Sequence, residues 1–243
     1  MKKPLQKALA PTGVLRVAIN LGNSLLVSGR QDDGTPIGIS PDIAKHVASI
    51  LDVPCRFVLF DQPGQLADAV DQDLWDIGNI ASEVERGKTI DFSDPYVLID
   101  THFLVRDDSE FQTNSDVDRL GATIAVSERS AYELWLRENF KNAEIVSAES
   151  IAKSHECFRQ GKAAILAGLL PKLEEELSIR SGYRIIKPPF TAIKQAMGVR
   201  KNNPEIVEFL NDVVATLINN GFIRASLEKH NVLSKLTIPP ARP

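Results

Sequence analysis

Glu85-Arg86-Gly87-Lys88-Thr89-Ile90-Asp91-Phe92-Ser93-Asp94-Pro95-Tyr96 joins a charged loop to an aromatic-flanked turn. It starts inside a charged loop, Glu83 to Lys88, and carries Asp94-Pro95 just before its last residue, Tyr96. That pair is turn chemistry: the aspartate can bond nearby backbone and the proline presets φ. Asp91 and Asp94 are therefore read as loop and turn residues rather than as a catalytic carboxylate pair. Just upstream, Trp75 to Ile80 is a short apolar run that reads as a strand.

Working outward from that strand, elements alternate. Leu15 to Asn20 reads as a strand. Pro41 to Leu51 reads as a helix, with Ser40 as N-cap, Pro41 at the first helical position, and Ile43, Val47, Ile50 and Leu51 on one face. Cys55 to Phe60 is a second strand, and Gly64 to Gln72 a helix with Leu66 and Val70 one turn apart. Downstream the pattern repeats: strands at Ala122–Val126, Glu144–Ser147 and Ala163–Ala167, helices at Ser130–Phe140, Ile151–Gln160 and Pro171–Leu177. Two such series predict an α/β protein of two lobes, each with a mainly parallel sheet flanked by helices. Asn203-Pro204 opens a helix that keeps its period through Ile218 and stops at Gly221. Phe222 to His230 forms a short last one, and Ile238 to Pro243 is expected to be extended and mobile.

The 243 residues are 43% hydrophobic and 25% charged, the profile of an ordinary globular chain. A net charge of −4 argues against a nucleic-acid partner. No apolar run approaches the roughly 18–20 residues that span a bilayer. The basic opening from Met1 to Lys7 has no apolar run behind it, so the sequence reads without a signal peptide. Cys55 and Cys157 are too few for a disulfide framework and are expected to be buried, inert thiols. His46, His102, His155 and His230 are scattered without metal-ligand spacing. No nucleotide or nucleophile-elbow motif appears, so neither a metal nor a cofactor is expected.

The Glu85–Tyr96 segment resembles the family 3, polar amino-acid type, periplasmic solute-binding proteins of ABC importers, in which an E-R-x-x-x-(apolar)-D-F-S-x-P-Y run follows the third strand of the first lobe. Leu15-Arg16-Val17 looks like that family's opening strand. Gly38-Ile39-Ser40-Pro41-Asp42-Ile43-Ala44 looks like its G-x-x-x-D-(apolar)-A helix start, and Gly198 to Pro204 like its return strand and helix cap. The likeness runs from about Leu15 to His230. It implies the two-lobed type II periplasmic-binding-protein fold, with lobe 1 at 1–101 plus 196–243 and lobe 2 at 102–195. The hinge strands would lie near Asp100–Val105 and Lys194–Val199. It further implies a monomer that takes an amino acid or related carboxylate into the interlobe cleft, closes about the hinge, and docks on a membrane permease. The compartment implied is the periplasm, with a cytoplasmic form as the alternative for a chain read without a signal peptide, and the role implied is binding rather than catalysis.

In open α/β sheets ligands sit beyond the carboxyl ends of strands. Arg86 is the first candidate. Its planar fork matches a carboxylate, and the resemblance gives this arginine the ligand's α-carboxylate. Ser130 opens a helix whose N–H groups suit an anion; Arg129 and Ala131 flank it where the family has glycine and Thr/Gly. Asn20, Asn23, Gln62 and Asn79 follow or end strands and form an amide wall suited to a polar ligand. Ile80 and Ala81 are expected to contribute backbone groups. Leu169 stands where the family has an aspartate for the ligand's α-ammonium, so the resemblance implies a ligand whose amine is absent or held otherwise. Two further classes stay open. One is a cleft enzyme of the cyclohexadienyl-dehydratase type, with Glu128 as its acid. The other is a ligand-sensing domain.

Overall fold

The computed structural model describes residues 2–242, and divides them between two compact units. Unit 1 holds the chain up to Leu98 and again from Lys194, and unit 2 holds Ile99–Ile193.

The chain opens with α1 (Lys2–Leu9), whose Leu9 is buried, and enters β1 (Leu15–Asn20). A short hairpin follows, β2 (Gly29–Arg30) and β3 (Pro36–Ile37), then α2 (Ile39–Leu51) and β4 (Cys55–Phe60). Next come α3 (Pro63–Asp68), β5 (Ile77–Ala81), β6 (Ile90–Phe92) and β7 (Val97–Arg106), which carries the chain into unit 2. Unit 2 continues with β8 (Thr123–Ser127), α4 (Ala131–Asn139), β9 (Glu144–Ala148), α5 (Ile151–Arg159), β10 (Ile165–Leu169), α6 (Leu170–Ile179) and β11 (Tyr183–Ile185). The return strand β12 (Thr191–Arg200) leads back to unit 1, which ends with α7 (Pro204–Asn219) and α8 (Phe222–Lys229).

In unit 1 the strands run in the order β4-β1-β5-β12. β1 is parallel to both β4 and β5, while β12 is antiparallel to β5 and to β6. β5 is buried along its whole length, as befits a strand covered on both faces. Ala18, Leu66, Ala69, Val70, Trp75, Ile80 and Ile90 form one core cluster against it. In unit 2 the order is β7-β10-β8-β9, with β10, β8 and β9 parallel, and β7 antiparallel to β10 and β11. Leu104, Ala125, Phe158, Ala163, Leu166 and Leu173 make its core cluster. The mixed α/β, parallel-rich architecture expected from the alternation is what the chain forms.

Four local expectations are corrected. The N-cap of α2 is Gly38, not Ser40. Gly38 has φ 151°, and a Cβ there would lie 2.1 Å from Leu26 O, an approach only glycine permits. The helix therefore starts at Ile39, and the Ser40 hydroxyl pairs with Tyr96 Oη at 3.0 Å. The helix expected over Gly64–Gln72 is α at Pro63–Asp68 and a 3₁₀ turn at Ala69–Gln72. The tail expected to be mobile is tied down: Leu98 and Thr237 exchange backbone bonds, and Arg242 pairs with Glu208 and Asp212. Pro243, the end of that tail, lies outside the described residues. Cys55 and Cys157 are half-buried rather than buried; burial still pushes the Cys55 thiol up to about 11.

Candidate functional site

The candidate groups of unit 1 lie in, at the end of, or after β1, β4 and β5. Arg86 lies in a 3₁₀ turn that follows β5, and only 5% of it is exposed. Its Nη1 donates to Ala81 O at 3.0 Å. The carbonyl expected to face a ligand thus positions the guanidinium, which has five N–H donors in all. Ala81 is held from its other side by β12, opposite Gln195. Ile80 pairs with Ala196 and buries its side chain in the core.

The amides differ from one another. Asn20 Oδ1 accepts from Gly22 N at 3.0 Å, and Asn23 Oδ1 from Leu25 N at 3.1 Å. Both oxygens are therefore committed to local turns of the Asx kind, and the amide N–H groups are the ends that remain for a partner. Gln62 is the extended N-cap of α3, partly exposed, and Pro63 starts the helix. Asn79 lies deeper than the other three, and its Oδ1 is buried without a hydrogen-bond partner among the described residues. It is 2% exposed inside β5, and its Nδ2 donates to Ser40 O at 3.3 Å, so it ties the sheet to the first turn of α2.

In unit 2, Ser130 is the N-cap of α4, as expected, and its Oγ accepts from Glu133 N at 3.2 Å. Arg129, exposed, has φ 54° and donates its N–H to Glu133 Oε2. Glu133, 3% exposed, also accepts from Arg137 and from Ser147 Oγ. Sequence reading missed Glu133, although Ser130-x-x-Glu133 has capping-box spacing. The carboxylate reaches Arg129 N rather than the N-cap's own N–H. Ala131 is buried at the first helical position. Tyr132 is buried behind it, and burial pushes its hydroxyl up to about 12. Leu169 ends β10, 6% exposed, paired with Thr101 of β7. The strand expected to end at Ala167 runs on to Leu169, so Leu169 is its last residue rather than part of the following loop. Among the described residues no group of three His, Cys, Asp or Glu could hold a metal ion, and no single helix is long and apolar enough to cross a membrane.

The model of the bacterial extracellular solute-binding proteins, family 3, matches residues 15–232. This chain belongs to that family. The L-cystine-binding protein TcyJ of Escherichia coli is 25% identical over 234 residues, which is 92% of this chain and 88% of TcyJ. Among solved structures, the substrate-binding protein AbpA of an amino acid ABC transporter from Streptococcus pneumoniae, bound to L-arginine, aligns with TM-score 0.74 at 19% identity. That alignment covers 94% of this chain and 99% of the other. An ancestral amino acid-binding protein, a precursor of cyclohexadienyl dehydratase, aligns with TM-score 0.72 at 23% identity, covering 92% and 98%. At these identities the structures establish the fold that this family member shares with them. The family is one of binding proteins.

Proposed function

We propose that this family member captures an amino acid or a related small carboxylate outside the cytoplasmic membrane and delivers it to the permease of an ABC importer. Arg86 carries the reading. A guanidinium only 5% exposed, braced by Ala81 O at the end of a buried strand, is preorganised for a planar oxyanion. The Ser130 start of α4 supplies helix N-terminal N–H groups of the same polarity, and the amide N–H ends of Asn20 and Asn23 add neutral donors. β7 and β12 carry the chain between the units and are the segments about which closure on the solute acts.

Leu169 favours one refinement. Leu169 itself offers no anion at this buried strand end, and an ammonium desolvated without one is costly. The solute's amine is therefore absent or held by another group. Glu128, the acid weighed for dehydratase chemistry, is an exposed side chain following β8, which supports binding over catalysis. The test is a thermal-shift screen over the L-amino acids, L-cystine, and their 2-oxo and deamino acids, followed by calorimetry. One or more carboxylates should raise the melting temperature, because a ligand selective for the native state stabilises it. Arg86→Lys should weaken that binding by about 10-fold or more. A flat response across the whole panel, or an Arg86→Ala variant with unchanged affinity, would sink the reading.

A further inference from the structure

Away from the strand ends, unit 1 carries a second polar constellation. Asp42 lies in the first turn of α2, His230 directly follows α8, and Ser28 directly precedes β2. His230 Nε2 meets Asp42 Oδ2 at 2.9 Å, and Ser28 Oγ meets His230 Nδ1 at 3.1 Å. Ser226 Oγ and Lys229 Nζ reach the same Asp42 oxygen at 2.8 and 3.2 Å. Burial opposes ionisation of Asp42, but the bonds from His230, Ser226 and Lys229 outweigh it and hold the carboxyl below its usual range.

The acceptor-only carboxylate selects between the two tautomers of a neutral ring. An ionised carboxylate only accepts, so Nε2 carries the proton of the neutral ring. Nδ1 of that tautomer presents a lone pair to the Ser28 hydroxyl, whose single proton is shared between Nδ1 at 3.1 Å and Ile37 O at 3.3 Å. The imidazole is buried while Ser28 is exposed, so the base is shielded and the hydroxyl is open to reagents. A hydroxyl bonded to a base that is itself oriented by a carboxylate is the arrangement that activates a nucleophile, wherever it occurs in a fold.

We propose that Ser28 is a general-base-assisted nucleophile and an acylation site for small activated esters. Ser28 Oγ bonds to the acyl carbon as its proton passes to His230 Nδ1. The bond from that carbon to the ester's leaving oxygen breaks, and the leaving group takes the proton from His230. The products are O-acyl Ser28 and the free alcohol, with no oxidant, reductant or metal required. The Ser28 N–H meets no acceptor among the described residues and is a donor for the developing oxyanion. Asp42 is a positioning residue. Two contacts moderate the reactivity: Ile37 O, 3.3 Å from Ser28 Oγ, competes for its proton, and Lys229 offsets part of the Asp42 charge. The expected chemistry is therefore one acyl group per chain rather than rapid turnover.

The alternative is a latch in which the same bonds merely tie the loop before β2 to α2 and α8. The full chain treated with p-nitrophenyl acetate separates the two. The proposal expects a fast release of one equivalent of p-nitrophenol, one acetyl group by intact mass, and its location on Ser28 by peptide mapping. Ser28→Ala should abolish the fast phase in a chain that stays folded, its melting temperature lowered by no more than the loss of one hydrogen bond to His230 accounts for. His230→Gln should slow it by roughly 100-fold or more. Asp42→Asn should lower the acylation rate constant at saturating ester and leave the half-saturating ester concentration in place. Acetylation confined to lysines, or a fast phase that survives in Ser28→Ala, would overturn the proposal and leave the latch.

Discussion

The backbone N–H of Arg129 is held by the buried carboxylate of Glu133, four residues along the chain, and Arg129 stands at φ 54°. The other non-glycine residues with positive φ among the described residues are Asp52, Asp73, Asn202 and Asn231. Those are the residue types whose short polar side chains tolerate the left-handed region; a long side chain there costs about 1–2 kcal/mol. Arg129→Gly should accordingly raise the melting temperature by about 2–4 °C, the equivalent of roughly 1 kcal/mol in a chain of this size. Arg129→Ala keeps the Cβ and should show no such gain. Glu133→Gln should lower stability by about 1.5–3 kcal/mol, since it weakens charge-assisted bonds to Arg129 N, Arg137 and Ser147. Thermal melting of the three variants checks this; a glycine variant less stable than its parent contradicts it.

Asp42 sets a pH dependence in unit 1. Its carboxyl lies below the ordinary value when folded, where bonds from His230, Ser226 and Lys229 overcome the cost of burial. A depressed carboxyl contributes stability that is fully present above its unfolded value, about 3.9. That contribution is lost as pH falls through the lower folded value. Melting curves from pH 6 down to pH 2.5 should therefore fall less steeply for Asp42→Asn than for the parent in the acid limb. The variant should already be the less stable of the two at pH 6. Parallel curves throughout would remove Asp42 from the acid response.

What the sequence made legible follows from how local each cause is. β1, β5, β8 and β10 are short apolar runs because their sheets are covered on both faces, and such runs can be read directly. The hairpin of β2 and β3 has strands of two residues, too short to show a period. α1 offers only Leu5, Ala8 and Leu9 to an apolar face, so its Lys-rich sequence gives little signal. The true start of α2 depends on Leu26 O standing where a Cβ at Gly38 would be, a contact between residues a dozen positions apart. At the candidate site, Arg86 was visible from its own motif. The turn roles of Asn20 and Asn23 are also local, since each oxygen bonds an N–H two residues on. The bond of Asn79 was not legible because its partner, Ser40 O, comes from another element 39 residues away, and alternation along β5 says nothing about which neighbour an amide meets.

Leu169 gives the sharpest handle on solute chemistry. It ends β10 with a buried apolar side chain, at the carboxyl end of a parallel strand where ligand groups are expected to converge. Leu169→Asp places an acceptor-only group there. The change should lower the stability of the solute-free protein by roughly 2–4 kcal/mol, because a packed leucine is lost and a carboxylate is desolvated in its place. An ammonium partner compensates that desolvation, so the variant should gain affinity for L-amino acids over their 2-oxo acids by about 10-fold or more relative to the parent. Added L-amino acid should also restore part of the lost melting temperature. Calorimetry of matched amino and 2-oxo acid pairs on both proteins measures the change in preference. If the parent already prefers the amino acid and Leu169→Asp leaves that preference unaltered, the amine is held by a group remote from β10, and Leu169 has no part in choosing the solute.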